Sequence, residues 1–165
     1  MATIITDLKE SFRRGNIYIQ LIYINVGVFV LTTLTEVILQ LFNRSLGGMF
    51  EWLELPASLS RFIVQPWSIL TYMFMHAGVL HILFNMLWLY WFGALFLNFF
   101  SAKHLRGVYI LGGICGGILY MAAYNIFPYF QPMTEYSFML GASASVLAIV
   151  AATAYREPNY PIRLF

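Results

Sequence analysis

Four apolar stretches divide the chain, and polar connections separate them. They cover about residues 17–42, 79–100, 105–127 and 140–155. A helix needs about 20 apolar residues to cross a bilayer, so the first three are long enough to span one. The first stretch is too long for the core of a signal peptide, and no small-residue cleavage site follows it. The pattern predicts an all-α membrane protein, a polytopic bundle of about four transmembrane helices within one domain, residues 1–165.

The fourth stretch, Leu140–Tyr155, is shorter than the others. Its 16 residues rise about 24 Å, whereas the hydrocarbon core is about 30 Å thick. The helix must therefore begin below the membrane surface, with the preceding loop dipping inward. Non-helical backbone at that depth must be buried in protein or line a water-filled cavity. We therefore expect an aqueous pocket where this stretch begins, at the sequence GASAS (141–145).

Composition agrees with a membrane protein and excludes several other classes. Hydrophobic residues make up 61% of the chain and charged residues 10%, whereas soluble domains carry about 25% charged residues. This excludes a disordered chain, a nucleic-acid-binding arm and an ordinary cytosolic enzyme. The net charge of +2 gives no sign of a nucleic-acid partner. The single cysteine, Cys115, excludes an intrachain disulfide.

The positive charges predict the orientation of the bundle. Seven Lys and Arg residues fall on the side that holds the N-terminus and two fall on the other. Cytoplasmic loops are enriched in these residues, so the side with the N-terminus is expected to be cytoplasmic. The seven are Lys9, Arg13, Arg14, Lys103, Arg106, Arg156 and Arg163, and the two are Arg44 and Arg61. We expect residues 1–16 to be a cytoplasmic N-terminal tail.

The connection between the first two stretches, residues 43–75, is unusually long. It carries Trp52 and Trp67, and amphipathic aromatic side chains of this kind lie at the headgroup level of a bilayer. Pro56 and Pro66 would interrupt any helix within it. We predict a long first loop that lies partly in the membrane interface.

Polar side chains at the start of the second stretch are candidates for a functional site. His81 and Asn85 are four residues apart and share one helical face, and polar groups inside a membrane helix mark a functional interior by default. His76 falls at the mouth of this helix. The alternative is that His81 and Asn85 hold helices together by hydrogen bonds. Zinc is not favoured, because the histidines lack ligand spacing and no cysteine cluster accompanies them.

Gly141-Ala142-Ser143 is similar to the glycine-serine turns that expose nucleophilic serines. The serine would lie near a helix N-terminus, where free N–H groups favour the negative charge of an oxyanion. His81 and Asn85 could add side-chain donors to that oxyanion. The alternative is a small-residue packing face formed by Gly141, Ala144, Ala148 and Ala152.

The third stretch has two overlapping GxxxG pairs, Gly112/Gly116 and Gly113/Gly117. Such pairs allow the backbones of two helices to approach closely. We interpret them as structural, and the fourth stretch, which has an equally small alanine face, is the expected partner.

Together these features resemble the rhomboid family of intramembrane serine proteases. The run HAGVLHILFNMLWLYWFG resembles the family's HxxxxHxxxN motif, and GASAS resembles its GxSx motif. The long first loop and the glycine-rich third helix match as well. The resemblance implies that Ser143 is the nucleophile, that His81 and Asn85 stabilise the oxyanion, and that His76 is a supporting polar group near the cavity.

The resemblance also implies a histidine that the chain does not contain. In the family the activating histidine lies on the sixth helix, and no histidine follows Ser143 here; the chain's histidines are His76, His81 and His104. His104 is expected on the opposite side of the membrane from the cavity. Since a serine without a base is a weak nucleophile, we expect the 165 residues alone to be inactive and the chain to be truncated, lacking helices five and six.

The resulting hypothesis is an intramembrane serine endopeptidase that cleaves transmembrane protein substrates. It implies no metal and no organic cofactor, and it places the chain in a cell membrane, plasma or inner. One alternative is a non-catalytic rhomboid-like protein that binds membrane clients. Another is a small transporter or channel subunit, with His81 and Asn85 lining its path. The sequence does not determine the oligomeric state.

Overall fold

The computed structural model describes residues 4–44 and 48–160, and helices dominate these residues. The α-helices of the described part are α1 (Ile4–Arg14), α2 (Ile17–Leu41), α3 (Leu59–Val64), α4 (Ser68–Thr71), α5 (Val79–Phe96), α6 (Ala102–Ile126) and α7 (Ser143–Arg156). Short 3-10 turns cover Met49–Trp52, Tyr72–Phe74 and Gln131–Met133. Two strands, β1 (Leu55–Pro56) and β2 (Phe138–Met139), pair in antiparallel fashion.

The helical membrane bundle predicted from the sequence is confirmed. Helices α2, α5 and α6 are long and apolar enough to cross a membrane, and α7 is a shorter apolar helix. With 14 residues, α7 rises about 21 Å, less than the bilayer core. Helix α5 ends at Phe96 and not near residue 100, because the chain turns there, with the N–H of Phe99 donating to the carbonyl of Phe96.

Helix α1 lies in the segment that we expected to be a polar tail, and the sequence analysis did not predict it. Apolar positions recur between its charged residues, but only over a few turns, so the sequence pattern does not indicate a helix clearly. It folds back on α2, where the Gln20 side chain donates to the carbonyls of Phe12 and Gly15, both at 3.2 Å. The hydroxyls of Ser11 and Tyr23 are 3.0 Å apart. Arg163, which the charge argument used, lies outside the described residues.

Helix α7 is packed between α5 and α6, and its buried face carries Ser145, Val146, Ile149 and Thr153. The predicted pairing of α6 with α7 is confirmed by the glycines. A Cβ atom placed on Gly116 would lie 2.5 Å from the Cβ of Ala144, and one on Gly112 would overlap the Cβ of Ala148. These two glycines therefore allow α6 and α7 to approach to backbone distance, as GxxxG pairs do.

We expect Gly112→Ala to destabilise the bundle by about 1–3 kcal/mol, since an added methyl group must push α7 away from α6. The matched control is Gly107→Ala on the same helix, because a Cβ at Gly107 meets nothing within 4 Å. Alanine there should be neutral or slightly stabilising, through its higher helix propensity. Unfolding by SDS titration in micelles, followed by circular dichroism, measures both. Equal effects of the two substitutions would contradict the packing argument.

Candidate active site

The start of α7 is built around a contact between Gly141 and His81. Gly141 has a φ of +116°, a conformation that residues with a side chain rarely adopt. A Cβ atom at this position would also lie 2.7 Å from Nε2 of His81. Glycine is therefore required for two reasons, the backbone angle and the space that the imidazole ring occupies. The second-helix motif and the GxS turn, more than 50 residues apart in sequence, meet at this point.

The hydrogen bond to Nδ1 of His81 determines which tautomer of the neutral imidazole is present. The backbone N–H of Ala77 donates to Nδ1 of His81 at 3.4 Å. A neutral imidazole that accepts at Nδ1 carries its hydrogen on Nε2. The Nε2–H donor of His81 therefore faces the turn that precedes Ser143.

Ser143 is the first residue of α7 and is exposed. Its backbone N–H has no partner within its own helix, as is general for the first residues of a helix. Together with His81 and Asn85 it lines a cavity of about 400 Å³, whose remaining walls are apolar: Leu80, Phe84, Trp88, Val146 and Leu147. The three residues singled out from sequence thus share one cavity.

Asn85 is buried on the same face of α5 as His81. Its amide nitrogen donates to the backbone carbonyl of His81 at 2.9 Å. Since an amide nitrogen has two hydrogens, this bond orients the side chain and leaves a second donor.

Ser145 occupies the opposite side of α7. It is fully buried, and its hydroxyl has no hydrogen-bond partner among the described residues. A Cβ atom on Gly113 of α6 would lie 2.7 Å from that hydroxyl oxygen, so Ser145 faces α6. Ser143 and Ser145 therefore do not face one cavity.

The first loop holds the turn before Ser143 in place, which the sequence analysis missed. Leu55 and Pro56 pair with Met139 and Phe138 across the β1–β2 ladder. The N–H of Gly141 donates to the carbonyl of Tyr72 at 2.9 Å. The Tyr72 hydroxyl in turn donates to the carbonyl of Gly113 on α6 at 2.6 Å. No sequence signal predicts strands of two residues. Tyr72 lies in the loop that was predicted to be interfacial, but it is buried in the structure.

His76 packs behind His81, with the two ring centroids 5.1 Å apart in an edge-to-face arrangement. It is 8% exposed, and neither ring nitrogen has a hydrogen-bond partner of good geometry among the described residues. Burial, and to a smaller extent the neighbouring His81, lower the pKa of His76 from 6.5 to about 4, against a smaller opposing effect of a backbone hydrogen bond at Phe74. His76 is therefore neutral near pH 7.

A pH-dependent stability follows from this burial. Between pH 6.5 and about 4 the unfolded chain binds a proton at His76 that the folded chain does not, so stability should fall as the pH falls through that range. We expect His76→Gln to remove this part of the pH dependence, measured as the difference between its unfolding profile and that of the unaltered protein. The control is His104→Gln, since His104 is exposed. A profile unchanged by His76→Gln would contradict the argument.

His104 lies at the far end of the bundle from Ser143. It is in the first turn of α6, where its Nδ1 is 2.8 Å from the Ser101 hydroxyl. Helix α5 separates that end from His81, and its 18 residues rise about 27 Å. His104 therefore does not approach Ser143, as expected.

Comparison with known proteins agrees with the arrangement of these elements. The family model of the rhomboid domain matches residues 64–165, more than half of the chain. RHOMBOID-like protein 7 of Arabidopsis thaliana is 38% identical over 55 residues, which are 33% of this chain and 18% of that relative. The match therefore spans less than a fifth of the relative's length. No solved structure matches the chain. The family match covers α5, α6 and α7, the helices that form the site, and the chain belongs to the rhomboid family.

Proposed function

We propose that the chain supplies the nucleophile and the oxyanion donors of an intramembrane serine endopeptidase. The observation that carries the proposal is the contact of His81 with Gly141 beside an exposed Ser143 at a helix N-terminus. A buried serine, or a histidine turned away from the turn, would favour a purely structural motif. The substrates would be transmembrane proteins, with the scissile bond in or near the membrane.

In the proposed reaction the Ser143 hydroxyl oxygen attacks the carbonyl carbon of the scissile peptide bond. The hydroxyl proton passes to a histidine base, and the carbonyl oxygen becomes an oxyanion. Three donors are available to that oxygen: the N–H of Ser143, Nε2–H of His81 and the second amide hydrogen of Asn85. When the oxyanion collapses, the amine leaves with the proton from the base. Water then hydrolyses the acyl-enzyme with the same base.

The base must come from outside these 165 residues. His81 faces Gly141 as a donor, His76 is buried behind it, and His104 lies at the other end of α5. The family resemblance favours a histidine on a sixth helix, and we propose that residues 1–165 belong to one rhomboid-like transmembrane domain. We expect the N-terminus to be cytoplasmic, the first loop (43–75) to lie at the opposite membrane surface, and the chain to act in a plasma or inner membrane.

The test is covalent labelling of the full-length gene product by a fluorophosphonate probe, followed by mass spectrometry. We expect the adduct on Ser143, because only an activated serine reacts quickly with such probes, and none on Ser145. An adduct that maps to any other serine would remove Ser143 as the nucleophile. Client binding without any labelling would favour the non-catalytic alternative, a rhomboid-like protein that holds membrane clients.

A further inference from the structure

A second cavity of about 560 Å³ has His76 in its lining and is separate from the cavity that Ser143 lines. The end of α2, the first loop, residues 75–79 and Leu140 enclose it. Three carboxylates line it, from Glu36, Glu51 and Glu54, against one basic side chain, Arg44. With His76 neutral, three negative charges and one positive give the described lining a formal charge of −2. We refer to it below as the acidic cavity.

The carboxylates of the acidic cavity are poorly neutralised. Glu51 lies 3.9 Å from Arg61, and Glu36 accepts a long hydrogen bond of 3.4 Å from Gln40. Among the described residues no basic group lies within ion-pair distance of Glu36 or Glu54. Burial raises the pKa of Glu54, and the nearby Glu51 raises it further. A positive charge placed here would favour the ionised form of Glu54 and would oppose the effects of burial and of repulsion from Glu51.

His76 independently favours a ligand with a hydrogen-bond donor in this cavity. It lines the cavity and is 8% exposed; apart from a backbone hydrogen bond at Phe74, its ring nitrogens have no partner of good geometry among the described residues. A buried polar group left without a hydrogen bond costs about 1–3 kcal/mol. A neutral imidazole has one nitrogen that accepts, so an N–H donor entering the cavity would satisfy it.

The acidic cavity is also close to the candidate active site. The His76 ring, which forms part of its wall, is 5.1 Å from the ring of His81. Leu140, another wall residue, directly precedes Gly141. A polypeptide bound with a carbonyl at Ser143 would therefore have a residue near the scissile bond within side-chain reach of the cavity.

We propose that the acidic cavity binds a cationic side chain, guanidinium or ammonium, of the polypeptide substrate at a residue near the scissile bond. This inference rests on the proposed function. Carboxylates and an accepting imidazole nitrogen match the several N–H donors of such a group. A metal ion is a poorer match, since the described residues hold no cluster of three or more possible metal ligands. The ammonium of an ethanolamine lipid shares this chemistry, so the test must separate the two sources.

The test measures binding and does not depend on cleavage. The probes are two fluorescent apolar peptides that differ at one residue, arginine in one and its neutral isostere citrulline in the other. Binding is measured by anisotropy to the Ser143→Ala protein in phosphatidylglycerol nanodiscs. We expect the arginine peptide to bind about tenfold more tightly, as a charge-assisted hydrogen bond would give. Equal affinities would overturn the proposal.

Substitutions locate the preference. Glu54→Gln and Glu36→Gln should each reduce binding of the arginine peptide toward the citrulline level and leave the citrulline peptide unchanged. The matched control is Glu135→Gln, which removes the same charge from a carboxylate that pairs with Arg61 outside the cavity. An equal loss with Glu135→Gln would indicate general surface electrostatics and would overturn the assignment.

Two further arms separate the possible failures. An arginine preference without fluorophosphonate labelling would leave the cavity assigned and the proposed protease function refuted. Labelling of Ser143 without an arginine preference would refute the cavity alone. If the preference is present in nanodiscs of phosphatidylcholine, which is also net neutral but has no N–H donor, and disappears in phosphatidylethanolamine, the lipid ammonium occupies the cavity, and the assignment to a substrate side chain is wrong.

Discussion

Replacement of Ser143 by alanine is expected to abolish peptide-bond cleavage by the full-length gene product, with a loss of about 10⁴–10⁶-fold. Among the described residues that line the cavity with His81 and Asn85, Ser143 alone carries a hydroxyl. The alanine variant should still bind substrate in this cavity, because the substitution removes one exposed oxygen atom and leaves the other lining residues unchanged. The measurement is cleavage of a fluorogenic transmembrane substrate in proteoliposomes, together with the affinity of the uncleaved substrate.

The second serine of GASAS provides the matched control. Ser145→Ala removes a hydroxyl that is buried against Gly113 and has no hydrogen-bond partner among the described residues. Its loss removes a buried unsatisfied group, so cleavage should remain within a few-fold of the unaltered rate and stability should be equal or higher. If Ser145→Ala removed activity and Ser143→Ala retained it, the assignment of the two serines would be reversed.

The sequence was sufficient to predict which residues come together in the candidate site, and the reason is physical. Polar groups within membrane helices are costly, so the few in this chain stand out against an apolar background. His81 and Asn85 were found in this way, and Gly141 and Ser143 by the turn that the short fourth helix requires. The α6–α7 pairing was predictable because small residues recur on both helices at a spacing of four, as they do at Gly112/Gly116 and Ala144/Ala148.

The first loop was less predictable, because its contacts are between residues far apart in sequence. The β1–β2 ladder contains only two residues on each strand, too few for any alternation of polar and apolar positions. Tyr72 holds Gly141 through its backbone carbonyl, and a backbone contact leaves no mark in the side-chain pattern. The loop was therefore predicted as an interfacial connection, whereas its residues position the turn that presents Ser143.

The acidic cavity was hidden for a similar reason. Glu36, Glu54 and His76 are ordinary isolated polar residues in the sequence, and only the fold of the first loop against α2 brings them together. The family resemblance implied that His76 is a supporting polar group near the catalytic cavity. The structure adds that His76 lines the acidic cavity, while its ring contacts that of His81.

Replacement of Gly141 by alanine should strongly reduce cleavage, although the substitution adds only one methyl group. The backbone at φ +116° costs an alanine about 1–3 kcal/mol. The new Cβ would also lie 2.7 Å from Nε2 of His81. Either the turn must relax or the imidazole must move, and in both cases the donor no longer faces the oxyanion. Loss of one such donor lowers the rate by about 10²–10³-fold.

Gly78→Ala is the matched control for this prediction. Gly78 precedes α5 close to the same site, but its φ of 177° is extended backbone that any residue adopts, and a Cβ there meets nothing within 4 Å. We therefore expect cleavage near the unaltered rate for Gly78→Ala and a loss of about 10²–10³-fold for Gly141→Ala, with both proteins still folded in micelles. If Gly141→Ala cleaved as fast as Gly78→Ala, His81 would not act through its contact with Gly141. The imidazole would then have to be a helix-packing group, and the oxyanion would have to be stabilised by the N–H of Ser143 and by Asn85 alone.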